Sequence, residues 1–263
     1  MKKAVFPVTI FGKIISVILA LYIVLPLIFL ILFSFSARIE VIPSELTLRW
    51  YLFNPDVVLG AVINTMRISI PSVLLSALIS ILLSLAVARM KFKGSFFVEQ
   101  LIALPMILPG TVLGLALLQV ANSALFTRIP AVAVLIMAHV IVTLPVISRP
   151  IIAALRQSGT HAEEASKTLG ATPLRTFLTV TLPIISSSVF VGMLLGFARS
   201  ITDFVMTLFI VPPHMVPMSI HIFNATHLSI QQIASANATV LLVFTIVVVA
   251  IAERVMIRSK KTK

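Results

Sequence analysis

The sequence predicts an all-α membrane protein with about six transmembrane helices and one polar helix–turn–helix outside the lipid. Three observations carry that reading. Apolar residues fill 59% of the 263 positions and charged residues only 11%, whereas a soluble domain is about a quarter charged. Mean hydropathy is +1.15. Six apolar stretches reach the roughly 20 residues that a helix needs to cross hydrocarbon, and Lys and Arg are divided unevenly between the alternate segments that join them. A single protein core cannot absorb so much apolar surface, so lipid is the solvent for much of it. With no water in that solvent, each crossing segment must satisfy its own backbone N–H and C=O groups, which makes it a helix.

The first span is Ile14–Phe33. It follows "MKKAVFPVTIFGK", which looks like the basic region of a signal peptide. A cleavable apolar core runs to roughly 7–15 residues and ends at a small-residue site; this run is longer and no clear A-x-A follows, so it reads as a retained span. The second is Thr65–Ala88, with Pro71 inside it. The third, Leu101–Ala121, holds Pro105, Pro109 and Gly110, and the fourth, Ala131–Ala154, holds Pro145 and Pro150. The fifth is Leu182–Phe204 and the sixth Ile233–Val255. Backbone groups freed at such breakers survive only against protein or water, so these helices are expected to face the interior of a bundle. Two longer segments, Ser34–Asn64 with "PSELTLRWY" and Met206–Gln232 with "VPPHMVP", do not look like independent folded domains. No repeat is visible, and one transmembrane domain over 1–263 is expected.

Charge orients the chain. With both termini inside, the inner segments hold fifteen basic residues, among them Lys2, Lys3, Arg89, Lys91, Arg149, Arg156, Lys167, Arg175 and Lys263. The outer segments hold four: Arg38, Arg49, Arg67 and Arg128. The positive-inside rule therefore puts both ends in the cytoplasm. The net charge of +12 sits beside apolar runs, which suits an anionic membrane surface better than nucleic acid. Cysteine is absent, so disulfides, thiolate chemistry and Cys-based metal sites are excluded.

One stretch interrupts the apolar pattern: "EEASKTLGATPLRTF", Glu163–Phe177. Thr160 and Glu163 have the spacing of a capping box. Helix formers fill His161–Leu169, and Gly170 can end that helix in a left-handed cap. Thr172 then suits the next N-cap and Pro173 the first helical position, with Leu174–Val180 leading into the fifth span. Local chemistry alone leaves two roles open: an interfacial staple between spans, or a docking element for another protein.

The segment "EASKTLGATPLRTFLTVTLP" resembles the EAA loop of ABC importer permeases, which runs Glu-Ala-Ala, three residues, Gly, nine residues, Ile-x-Leu-Pro. Here Glu164-Ala165-Ser166, Gly170 and Val180-Thr181-Leu182-Pro183 stand in those places, with Ser166 for Ala and Val180 for Ile. The resemblance extends to "LTLRWY", to Asn64-Thr65 and to "ALPMILPGTVLGLALL". It implies a MetI-like permease fold whose coupling helix region, 160–177, docks into a groove of a separate ATP-hydrolysing subunit. Glu163, Glu164, Ala165, Ser166, Gly170 and Pro173 would carry the coupling. It further implies two such ATP-binding cassette subunits, a second permease subunit (identical or different), a solute-binding protein, and a place in a bacterial inner membrane. The chain would be a transport subunit rather than an enzyme. A phosphate-cradling G-x-x-x-x-G-K-[ST] loop is missing, since the one Gly-Lys pair is Gly12-Lys13 and position 7 is proline. No cofactor is therefore expected on this chain; ATP and magnesium would be used by the partner.

Polar residues within spans are expensive and frequently functional. Arg199 and Asp203 are spaced for one face of the fifth helix; they either line the path, with Asp203 meeting a cation, or neutralise each other. His139 is expected as a hydrogen-bonded interior histidine before a substrate contact. Gln119 and Asn122, ending the third span, suit interfacial solvation or the path, and Arg67 suits the headgroups. His214, His221 and His227 lack metal-ligand spacing. The stretch "SITDFVMTLFIVPPHMVPMSIHIF" resembles the corresponding region of polyamine-type permeases, roughly S-L-D-D-F followed by Gly-Pro, Leu-Pro and Ile-Tyr. Asp203-Phe204 matches, Thr202 replaces one acid, and Pro212 stands for Gly. That resemblance implies an organic cation as solute. Phosphonate and ferric-iron permeases of the same broad family place an acid nearby, so they remain alternatives. A stand-alone secondary transporter or channel would show inverted symmetry and charge relays. An intramembrane enzyme would show a nucleophile–base pair, G-x-S-x-G or H-E-x-x-H. None of these is present.

Overall fold

The computed structural model describes residues 10–38, 45–90, 93–123, 128–227 and 231–261. Lys2, Lys3, Lys91 and Lys263 lie outside them. Eleven α-helices are described: α1 (Ile10–Ser34), α2 (Pro55–Arg89), α3 (Ser95–Ile107), α4 (Gly110–Ala121), α5 (Ala131–Ser158), α6 (His161–Thr168), α7 (Pro173–Thr176), α8 (Leu182–Ile201), α9 (Val205–Ile210), α10 (Met218–His227) and α11 (Gln231–Lys261). A π-helical turn, Phe177–Thr181, joins α7 to α8. Five helical segments are long and apolar enough to cross a membrane, or six if α3 and α4 form one broken span. The chain divides into two compact units, Met1–Val57 with Ile222–Val243, and Val58–His221 with Phe244–Lys263.

In the first unit, α1 exposes apolar side chains along its length, among them Ile18, Tyr22 and Leu25, as a helix in an apolar solvent can. After α1 an isolated antiparallel bridge pairs Ser36 with Leu46. The "LTLRWY" segment is a folded turn: Trp50 Nε1 donates to the Ser36 carbonyl at 2.8 Å, and the Arg49 guanidinium lies 4.1 Å above the Trp50 ring. Trp50 also packs on Ala225, Ile233 and Ala234.

In the second unit, small residues bring helices close. A Cβ on Gly192 would stand 2.9 Å from the Ile147 carbonyl oxygen, and one on Gly196 would stand 2.7 Å from Ile147 Cδ1. The G-x-x-x-G spacing thus lets α8 press on the backbone of α5. Around that contact Val73, Ile147, Ile151, Leu155, Ile185 and Phe197 form one core. Buried serines on α2 reach the backbone of α5: Ser72, Ser80 and Ser84 donate to the carbonyls of Ile136, Leu144 and Ser148 at 3.1, 3.3 and 3.3 Å.

Three expected spans differ. The second begins earlier, at Pro55 rather than Thr65, so the helix takes in the end of the expected outer segment Ser34–Asn64. The third is not one helix, because α3 and α4 meet at 104°. Pro109 forces Leu108 out of the helical region, to φ −70° and ψ 137°, since a residue before proline clashes there. The fifth span begins earlier, through α7 and the π turn. Pro183, with no N–H, cannot complete the α-ladder at that point. It also ends earlier: α8 stops at Ile201, so Asp203 stands in a turn beyond the helix.

Candidate functional site

The polar elbow is built from α6, the turn at Gly170 and α7. Gly170 has φ +82°. Its N–H donates to Lys167 O at 2.9 Å, and the Ala171 N–H donates to Ser166 O at 3.1 Å, which together close a Schellman cap. Thr172 caps α7, its hydroxyl accepting from the Arg175 N–H at 3.4 Å, and Pro173 follows at the first position. Ser166 and Thr176 hydroxyls lie 3.1 Å apart and tie the two arms. The outer face shows Leu169 at 89% and Leu174 at 68% exposure; Glu164, Ala165 and Pro173 are exposed beside them.

The expected capping box does not form. Thr160 makes no side-chain bond to the start of α6 and instead donates to Glu164 Oε1 at 2.6 Å. Glu163 turns inward, because two donors wait there. Arg89 Nε donates to its carboxylate at 3.0 and 3.1 Å, and Thr181 Oγ1 donates at 3.1 Å. Sequence reasoning counted Arg89 only as an inner charge. Its place at the last position of α2 was the available signal, since a cation there meets nearby helix-end carbonyls.

A second polar group lies among α2, α5, α8 and α9. Arg199 Nη1 donates to Asp203 Oδ1 at 2.7 Å. Asp203 Oδ2 accepts from the Thr207 N–H at 3.1 Å and from Thr207 Oγ1 at 2.9 Å. The carboxylate thereby serves the first turn of α9, where negative charge is favoured. The Asp203 side chain is 4% exposed and that of Arg199 41%. His139 bridges onward, Nε2 lying 3.1 Å from Thr207 Oγ1 and Nδ1 2.8 Å from Ser200 Oγ. Ser200 donates to Ser69 Oγ at 2.9 Å. Which ring nitrogen of His139 donates is set by its tautomer. Arg199, Asp203 and His139 are thus brought together as one network, with Ser69, Ser200 and Thr207 as members that sequence reasoning missed. Thr207 follows Asp203 by one helical repeat, which was the signal for it.

Arg199 lines a cavity of about 150 Å³ at the α3–α4 bend, with Leu108, Gly110 and Met206. Gln119 and Asn122 do not join the network. Both are exposed, and Asn122 lines a separate cavity of about 390 Å³ with Pro212 and Pro213. Arg67 is exposed. On α10, burial holds the His221 pKa below the usual imidazole value. Among the described residues no group of His, Asp and Glu could hold a metal ion.

The chain is 27% identical over 246 residues to the putrescine transport system permease protein PotI of Escherichia coli strain K12, covering 90% of this chain and 88% of that protein. It is 29% identical over 242 residues to the spermidine/putrescine transport system permease protein PotC of the same strain, covering 91% and 90%. The molybdenum transport system permease protein ModB of Haemophilus influenzae is 30% identical over 161 residues, 56% of this chain and 69% of that protein. A crystal structure of a bacterial ABC transporter involved in the import of the acidic polysaccharide alginate shares the fold, with a TM-score of 0.77 at 18% identity, covering 94% of both chains. The family match itself spans residues 56–261, from the start of α2 through the elbow to the end of α11, and by it the chain belongs to the binding-protein-dependent transport system inner membrane components.

Proposed function

We propose that the chain is the membrane path for a polyamine-like organic cation, delivered by a solute-binding protein and driven by ATP hydrolysed on two separate cassette subunits. A second permease chain, of the same or another sequence, completes the path, and both termini face the cytoplasm. The elbow carries the energetic half of this reading. A helix pair capped at Gly170 and Thr172, with Leu169 and Leu174 turned outward, presents a preformed apolar surface to a partner. A staple lying on lipid would not need its acidic residue tied back to α2. Closure of the cassette subunits would shift the elbow and rock the helices between outward and inward states, each partner biasing the state it binds better. The solute half rests on likeness to the putrescine and spermidine/putrescine permeases over about nine-tenths of the chain.

Asp203 is the carboxylate this reading assigns to the cation, with His139 and Thr207 holding it in place. An ammonium entering beside Arg199 would take over Oδ1, while Oδ2 stays on Thr207. A second reading is favoured by one observation: Arg199 faces the cavity while Asp203 is buried behind it. In that case Asp203 only neutralises the guanidinium, and the solute is a small anion. Proteoliposomes holding the assembled transporter decide between them. Uptake of labelled putrescine, unaffected by excess molybdate, supports the cation; uptake of molybdate without putrescine overturns it.

A further inference from the structure

Arg89 is the most heavily engaged side chain in the described molecule, and the transport reading does not yet use it. Its Nε holds Glu163 on α6 at 3.0 Å. Its Nη1 donates to Leu155 O at 2.7 Å. Its Nη2 donates to Gly159 O at 2.7 Å and to Ser158 Oγ at 3.1 Å. The carbonyls belong to the end of α5, where a helix leaves its last C=O groups without intrahelical partners. Gly159 sits at φ 62° and ψ −167°, a conformation essentially restricted to glycine, and this backbone setting turns its carbonyl toward Arg89. Glu163 is also held by Thr181 in the π turn that opens α8. One guanidinium therefore joins the ends of α2 and α5 to the elbow, and through Glu163 to the root of α8. Both side chains are largely buried, at 15% and 13% exposure, whereas Glu164, Leu169 and Leu174 are exposed. A planar fork with five donors suits this junction, whereas a lysine ammonium cannot span it.

We infer that Arg89 is the positioning residue that makes α2 and α5 follow the elbow when a cassette subunit moves it. Docking and transmission are thereby separated within one elbow: Glu164, Leu169 and Leu174 meet the partner, while Glu163 passes the movement inward through Arg89. This inference rests on the reading of 160–177 as the docking element, and the experiment keeps the two apart.

The chain contains no cysteine, so a pair of spin labels can be placed without background at Lys167→Cys on α6 and Leu74→Cys on α2, both exposed. The transporter is assembled with its cassette subunits, and the label separation is measured without nucleotide and after trapping with ATP and vanadate. With Arg89 intact, the separation should hold within about 2 Å, the scale of small helix shifts at interfaces. With Arg89→Gln it should change by more than that, while the cassette subunits copurify at the level seen with Arg89 intact. A separation that stays fixed in Arg89→Gln overturns the inference, and so does loss of copurification, which would make Arg89 part of the dock. Glu163→Gln, which keeps the side-chain volume, gives the same reading should Arg89→Gln fail to reach the membrane. Gly170→Val tests the docking reading alone: undiminished copurification there removes the docking element and leaves the Arg89 result to stand or fall by the label separation.

Discussion

Replacing Gly170 probes the elbow through its backbone alone. The residue has φ +82°, and a Cβ added there would meet no atom within 4 Å. Crowding therefore contributes nothing, and any effect is conformational. An L-residue in the left-handed region is disfavoured by about 1–2 kcal/mol, with Asn less affected and β-branched residues more. In the free protein the exposed turn can relax out of the strained form; docking would require it back. At 1.4 kcal/mol per tenfold change, that strain weakens cassette-subunit binding by about 5- to 30-fold. The expected order of affinity is Gly170, then Gly170→Asn, then Gly170→Ala, with Gly170→Val weakest. Titration of detergent-solubilised permease with labelled cassette subunit measures it. The order matters more than any one value. If Asn, Ala and Val were equal, the loss would come from something other than φ. Unchanged affinity in Gly170→Val would mean that the elbow does not dock as a preformed unit.

Other substitutions test the packing and the buried network. Gly192→Ala puts a Cβ 2.9 Å from the Ile147 carbonyl oxygen, and overpacking of this kind lowers stability by about 1–3 kcal/mol, read as a lower melting temperature in detergent. Ser72→Ala should lose about 0.5–1.5 kcal/mol of hydrogen bonding, shared between Ile68 O on α2 and Ile136 O on α5. Ser76→Ala should be neutral or stabilising, because Ser76 Oγ is buried without a partner among the described residues; equal melting losses for the two would contradict this account of the serine row. For the charge pair, Asp203→Asn leaves the guanidinium of Arg199 uncompensated, and the double change Arg199→Gln, Asp203→Asn removes that penalty. If Asp203 binds the cation, the double variant folds but takes up little putrescine; recovery of both folding and uptake assigns Asp203 to neutralisation alone.

Much of this molecule was legible in its residues, for reasons that can be named. Apolar length and Lys/Arg placement are long-range averages, so the spans emerged with errors mainly at their ends. Gly170, Thr172 and Pro173 were readable because caps depend on neighbours within a few positions. What escaped was whatever depends on a distant partner. The Thr160–Glu163 spacing fits a local box, yet Glu163 is drawn away by Arg89 and Thr181, far off in sequence. Pro109 announced a break in the third span but not its 104° angle, which also depends on Gly110 and Gly114 letting α9 come close. His139 was expected inside and hydrogen-bonded; that Ser200 and Thr207 flank it required the folded arrangement of three helices.

The most direct measurement reconstitutes the chain with its cassette subunits and binding protein in sealed proteoliposomes and compares uptake of labelled putrescine under two driving forces. The account predicts uptake with internal ATP, abolished by vanadate, and none with a proton gradient or membrane potential alone. Uptake driven by either gradient in the absence of ATP, with no cassette subunit bound to the purified chain, would contradict it.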